Sequence, residues 1–140
     1  MCYARVMRKK ILPEVAVAFE ITAPRGFDLN QISKIVGLRS TFRSDEPGGE
    51  DYQDALWVYE LFPEREKSLE RRLQQLLKCL WPKRKRILRF LHVNRLTAEF
   101  TFHVNHVGDH PDYVLSAKSL ERMAWFKAAW RLVLVDVRDA

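Results

Sequence analysis

Apolar residues recur along this chain with two different periods, and the changes between them mark out its elements. "VAVAFEIT" (Val15–Thr22) is β-branched and aromatic, and Val15, Val17, Phe19 and Ile21 alternate with smaller or polar neighbours, as a strand requires. After the turn "APRGF", Asp28 is placed to cap a short helix over Leu29 to Val36. In that helix Leu29, Ile32, Ile35 and Val36 share a face, and Gly37 ends it. "RSTFRSDEPGGEDYQD" reads as a loop, "ALWVYELF" (Ala55–Phe62) as a second strand, and Pro63 as its stop.

Beyond Ser68 the period becomes helical. Leu69, Leu73, Leu76, Leu77 and Leu80 form one stripe, and the pattern resumes at Ile87, Leu88 and Leu91. Pro82 lies between the two stretches and predicts a break or kink near Trp81. "RLTAEFTFHVN" then alternates strictly, with Ala98, Phe100, Phe102 and Val104 facing one way and Glu99, Thr101, His103 and Asn105 the other. That is a strand with one wet side. "HVGDHPD" is a turn and "YVLS" a short extended piece. Ser116 caps a helix with Leu120, Met123 and Ala124 on one face. "WRLVLVDV" (Trp130–Val137) is apolar on both sides, which predicts a central strand, and Trp57, Trp125 and Trp130 read as core.

This order predicts a single α+β domain over residues 1–140, with residues 1–13 as a loosely attached N-terminal segment. Its sheet of about five strands is antiparallel or mixed, with helices mainly on one face; a parallel doubly wound fold is the alternative. A hydrophobic share of 47% and a charged share of 30% suit a globular chain that builds its own core. No run reaches the roughly 18–20 apolar residues of a membrane span, and the start lacks the features of a secretory signal. Cys2 and Cys79 form no CxxC pair, so the expectation is free thiols in a reduced, cytoplasmic protein without a membrane partner.

Charge changes the picture. The net charge is +6, yet nine Lys or Arg residues and no acid lie between Arg71 and Arg95, while the rest of the chain has an acidic excess of three. The leucine stripe assigns Arg71, Arg72, Lys78, Lys83, Lys85, Arg86 and Arg89 to the wet surface, where they would steer an anionic partner. Such a face fits an acidic protein surface or a phosphate backbone; the plainer alternative is that it only solubilises the domain. Trp81 either packs under the kink or turns outward among the cations as an interface anchor. The loop holding Glu50, Asp51 and Asp54 offers a second, acidic surface.

Several of these stretches together resemble a known family. The strand "FEI", the capped helix in "DLNQISKIVGLRST", the Trp-opened strand "LWVYEL", "LERRLQQLLKCLWPKRKRIL" and "LSAKSLERMAWF" before a final apolar strand are similar to small bacterial proteins grouped as domain of unknown function 4279. The resemblance runs from about Val15 to Val137 and rests on core and cap positions. It implies a fold and hints at a role beside bacterial toxins, as an immunity protein. It carries over no catalytic residue.

Candidate chemistry is sparse. Three of the four histidines lie in "FHVNHVGDHPDY", as His103, His106 and His110. Their spacing matches neither an HExxH helix nor a zinc ribbon, and a strand running into a turn gives no reason for three imidazoles to converge. The reading is a polar strand end, with no metal and no cofactor. No nucleophile elbow and no phosphate-cradling glycine loop is present.

The expectation is therefore a non-catalytic, cytosolic binding protein. Its most concrete form is an immunity-type inhibitor that neutralises a bacterial toxin domain by protein–protein contact. The partner-binding residues would be Lys83, Lys85, Arg86, Arg89 and Trp81, with Glu50, Asp51 and Asp54 on the acidic side. The alternative is nucleic-acid binding through the basic segment 71–95, although no helix-turn-helix, zinc finger or RNP-type motif accompanies it.

Overall fold

The leucines that recur after Ser68 and the alternating residues after Glu14 are two halves of one core. A computed structural model describes residues 12–44, 54–66, 68–108 and 113–137. Among them the chain forms β1 (Glu14–Pro24), α1 (Leu29–Val36), β2 (Phe42–Ser44), β3 (Asp54–Arg65) and α2 (Leu69–Leu80). A 3-10 turn (Trp81–Lys83), α3 (Arg84–Val93), β4 (Thr97–His106), α4 (Ala117–Trp125) and β5 (Ala129–Asp136) follow.

The strands make one five-stranded sheet in the order β2-β3-β1-β4-β5. β1 pairs antiparallel with both β3 and β4, β2 pairs antiparallel with β3, and β4 and β5 run parallel across α4. The sheet is therefore mixed and the domain is α+β, as expected; the doubly wound alternative does not hold. Val15, Val17, Phe19 and Ile21 of β1 and Phe100, Phe102 and Val104 of β4 are fully buried with Leu73, Leu76, Leu77 and Leu80 of α2. α1 joins the same face through Leu29 and Ile32, and its Ser33 hydroxyl accepts a 2.9 Å hydrogen bond from the Trp57 indole of β3. The opposite face stays polar in part. Glu20 and Glu99 stand directly across from one another on β1 and β4, and Arg131 of β5 reaches both, at 3.9 and 2.7 Å.

The structure corrects the sequence reading in five places. β5 is an edge strand, and Trp130, read as core, is 52% exposed, with Leu134, Val135 and Val137 also partly open. An all-apolar strand looks central by composition, but among the described residues β5 pairs only with β4 and part of both faces stays open. Leu120 and Ala124 of α4, read as facing inward, are exposed, whereas Met123 is buried. Part of the loop between the first two long strands is the short strand β2. The piece from Tyr113 to Ser116 joins no strand.

The fifth correction concerns Pro63 and Arg72 together. Pro63 does not end β3, which continues to Arg65 through a register shift: Val15 pairs with Glu64, but Val17 pairs with Leu61. Proline, which cannot donate to a ladder, is tolerated at such a bulge. Arg72, expected in solvent, is buried beside this bulge and donates to the Phe62 carbonyl and, at 2.6 Å, to Gln75 Oε1, with Glu64 3.2 Å away. The bulge leaves a carbonyl in need of a donor, and the first turn of α2 supplies it. Replacing Arg72 by Met keeps the apolar stem and removes these bonds, so stability should fall by about 2 kcal/mol, the usual worth of charge-assisted hydrogen bonds. Urea unfolding of R72M beside R71M checks this; Arg71 is exposed and its variant should unfold within about 0.5 kcal/mol of the parent.

Candidate basic face

The nine cations of the segment 71–95 do not form one surface; the fold divides them. Arg72 ties α2 to β3, and Arg71 lies 3.7 Å from Glu66. Two more attend the C-terminus of α1. Arg86 donates to the Ile35 carbonyl at 3.0 Å, and the Lys83 ammonium lies over Gly37, where a Cβ would stand 1.8 Å from Nζ. Gly37 has φ +72 and its N–H bonds to the Ser33 carbonyl, so it is a left-handed C-cap, and the two cations meet the negative end of the helix. Lys83 and Arg86 were read as partner-binding residues, and the structure gives both a place within the fold.

Arg84 turns back on the kink. It donates to the Trp81 carbonyl at 2.9 Å and lies 4.5 Å from the Trp81 ring centroid; Arg122 of α4 lies 4.9 Å from the same centroid. Trp81 is half-buried and meets Trp125 and Phe126 at 5.8 and 6.2 Å, edge to face. Pro82 breaks the long helix as expected, and the 3-10 turn there holds the indole against α4.

Lys78, Lys85 and Arg89 remain exposed, with no hydrogen bond or ion pair among the described residues. Lys118 and Lys127 of the α4 region join them, a contribution that the charge run of the sequence did not reveal. These side chains border two cavities on either side of the Trp81–Trp125 contact. Lys78, Lys118 and Arg122 line one of about 480 Å³, and Lys85, Arg89 and Lys127 line another of about 500 Å³. The exposed cations thus lie on α2, α3 and the α4 region rather than on α2 and α3 alone. Only the contact between the kink and α4 could have disclosed it, and no periodicity carries that contact.

One carboxylate organises the first of these cavities. Glu70 sits in the first turn of α2 and accepts from the Ser116 N–H at 2.9 Å, the Ser116 hydroxyl at 2.7 Å and the Ser119 hydroxyl. It therefore supplies negative charge to the N-termini of two helices at once. Burial alone would raise its carboxyl, but the hydrogen bonds from Ser116 and Ser119 outweigh that and hold it below the usual carboxylate range.

The C-termini of the enclosing helices are unusual in another way. Arg95 after α3 and Lys127 after α4 adopt φ +55 and +53, where glycine is customary. A left-handed residue with a side chain costs about 1–2 kcal/mol. A cation at a helix C-terminus recovers only about 0.3–1 kcal/mol.

The remaining candidates separate. His103 is exposed and His106 buried, with Nδ1 2.8 Å from the Gly108 carbonyl; three residues apart on β4, they point to opposite sheet faces. His110 lies outside the described residues, as do Glu50 and Asp51. Asp54 is exposed at the start of β3. Among the described residues no three His, Cys, Asp or Glu side chains gather as metal ligands, and no helix is long and apolar enough to cross a membrane.

Comparison with known families decides the relationship. The family model of domain of unknown function 4279 matches residues 13–135. The chain belongs to this family. No curated protein and no solved structure matches it. The matched segment runs from just before β1 into β5, so it takes in the sheet and the four helices described above.

Because the Glu70 carboxyl titrates lower in the folded chain than in the unfolded one, its contribution is full above the unfolded value near 4.5 and is lost as pH falls through the folded value. Glu70→Gln should lower stability by about 1–2 kcal/mol at pH 7, the scale of a lost helix cap. The gap between parent and variant should narrow below about pH 4.5, as chemical unfolding at a series of pH values would register.

Proposed function

We propose that this protein is a non-catalytic binding protein whose face built from α2, α3 and α4 docks an acidic surface of a partner protein. Its most concrete form is an immunity-type inhibitor that covers a bacterial toxin domain. The observation that carries the reading is the set of exposed cations Lys78, Lys85, Arg89, Lys118 and Lys127 around the Trp81–Trp125 contact. Cations in this setting attract and orient an acidic surface, and half-buried indoles among them are the side chains on which interface energy concentrates. Cytoplasmic residence, the compartment in which such an inhibitor protects its own cell, belongs to the same proposal.

Nucleic-acid binding through the basic segment is the competing outcome. The indole that single-stranded nucleic acid would stack upon already carries Arg84 and Arg122, so a base would have to displace them. Of the five cations from Lys83 to Arg89 that a phosphate track would need in a row, Lys83 and Arg86 are turned toward α1 and Arg84 lies against Trp81.

Co-expression with a toxin domain encoded beside it, followed by pull-down, tests the proposal. The pair K85E/R89E should slow association at least tenfold and weaken protection, with the loss steepest at low salt. Arg86→Ala should lower stability through α1 and leave association within about twofold. Protection that survives K85E/R89E unchanged would reject this face. Retarded migration of duplex DNA or RNA that vanishes in K85E/R89E, with no protein captured, would install the nucleic-acid reading instead.

A further inference from the structure

The larger of the two cavities on the basic face has a composition that protein docking alone does not account for. Its volume is about 500 Å³, within the range of small-molecule sites. Leu91, Leu96 and Phe126 form a buried floor, and Leu88 and Trp125 are half-buried walls. Lys85, Arg89 and Lys127 stand exposed at its rim, and no acidic side chain lines it. Two helix C-termini approach this region and bring about half an elementary negative charge each. Three full positive charges exceed that sum, so the mouth stays cationic above an apolar floor.

We propose that this cavity binds a small amphipathic carboxylate, with its apolar body on Leu91, Leu96 and Phe126 and its carboxylate between Arg89, Lys85 and Lys127. Neither a free phosphate nor an uncharged hydrocarbon meets both halves of the lining. Arginine offers the carboxylate a planar pair of donors, and the two lysines add charge without fixing direction. The left-handed backbone at Lys127, which lines the cavity just past α4, and at Arg95, just past α3, accords with a ligand site, because strained residues gather where a ligand is gripped. Two other cavities fit such a ligand less well. Beside Trp81 the α4 N-terminus already holds the Glu70 carboxylate, and the cavity beneath Gly37 is lined mostly by polar residues and Arg43, which is bonded to Asn30.

The site is independent of the partner-docking proposal, and its test keeps the two apart. Titration calorimetry of the full chain uses decanoate as the probe, below its micellar concentration, beside decanol and acetate. Decanoate should bind one to one and at least tenfold more tightly than decanol, and acetate should give no heat. K85E/R89E should weaken decanoate at least tenfold and leave decanol within about twofold. Leu88→Trp fills the cavity and keeps every cation, so it should abolish decanoate binding while partner association persists; Ala98→Phe on the β4 wall replaces it if melting shows that Leu88→Trp disturbs the fold. Equal affinity for decanoate and decanol, no decanoate binding, or binding that survives a folded plugged variant would overturn the site.

Discussion

The contact between the leucine stripe of α2 and the odd-numbered residues of β1 is the constraint on which the rest of the molecule depends. β1 is the central strand, and both of its neighbours run antiparallel to it, so its inward side chains fix the register of the whole sheet. A slip of one residue would carry Phe19 and Ile21 to the polar face and Glu20 into the leucines. Once α2 lies across β1, the kink at Pro82 determines where α3 and its cations go. The crossover through α4 then closes the helical layer from the other side.

That layer explains why a dense run of positive charge becomes a smaller and differently placed surface. A linear segment offers its cations to whatever the fold needs first: a bulge carbonyl, the C-terminus of a short helix, an indole ring. Arg72, Arg86 and Arg84 satisfy those needs, and each lies where an unmet polar group or aromatic face would otherwise remain. What remains in solvent is supplemented from α4, some thirty to forty residues further along the sequence. Charge density along a chain and charge density on a surface are different quantities.

The elements themselves were legible because their signals are local. Asp28 and Gly37 bound α1, Ser68 and Ser116 cap α2 and α4, and Pro82 interrupts the long helix where the sequence places it. The misreadings share a cause. Whether β5 is central or peripheral depends on how many neighbours it pairs with, and its composition does not record that. Pro63 looks like a stop unless a bulge receives it, and Arg72 looks solvent-bound unless that bulge lies within reach. Of the cations that border the two cavities, Lys78, Lys85 and Arg89 were named from the sequence, while Lys118, Arg122 and Lys127 entered only through tertiary contact.

The close approach of Lys83 to Gly37 places unequal demands on two distant positions. A residue other than glycine at 37 must accept a left-handed backbone, which asparagine can do, but its Cβ would occupy the space now filled by the ammonium. Lys83 meets that space with the far end of a flexible chain and can swing aside, so the left-handed backbone is the stricter demand for glycine at position 37. Position 83 is thus the freer partner of the α1–kink junction, and a change there leaves the demand on position 37 in place.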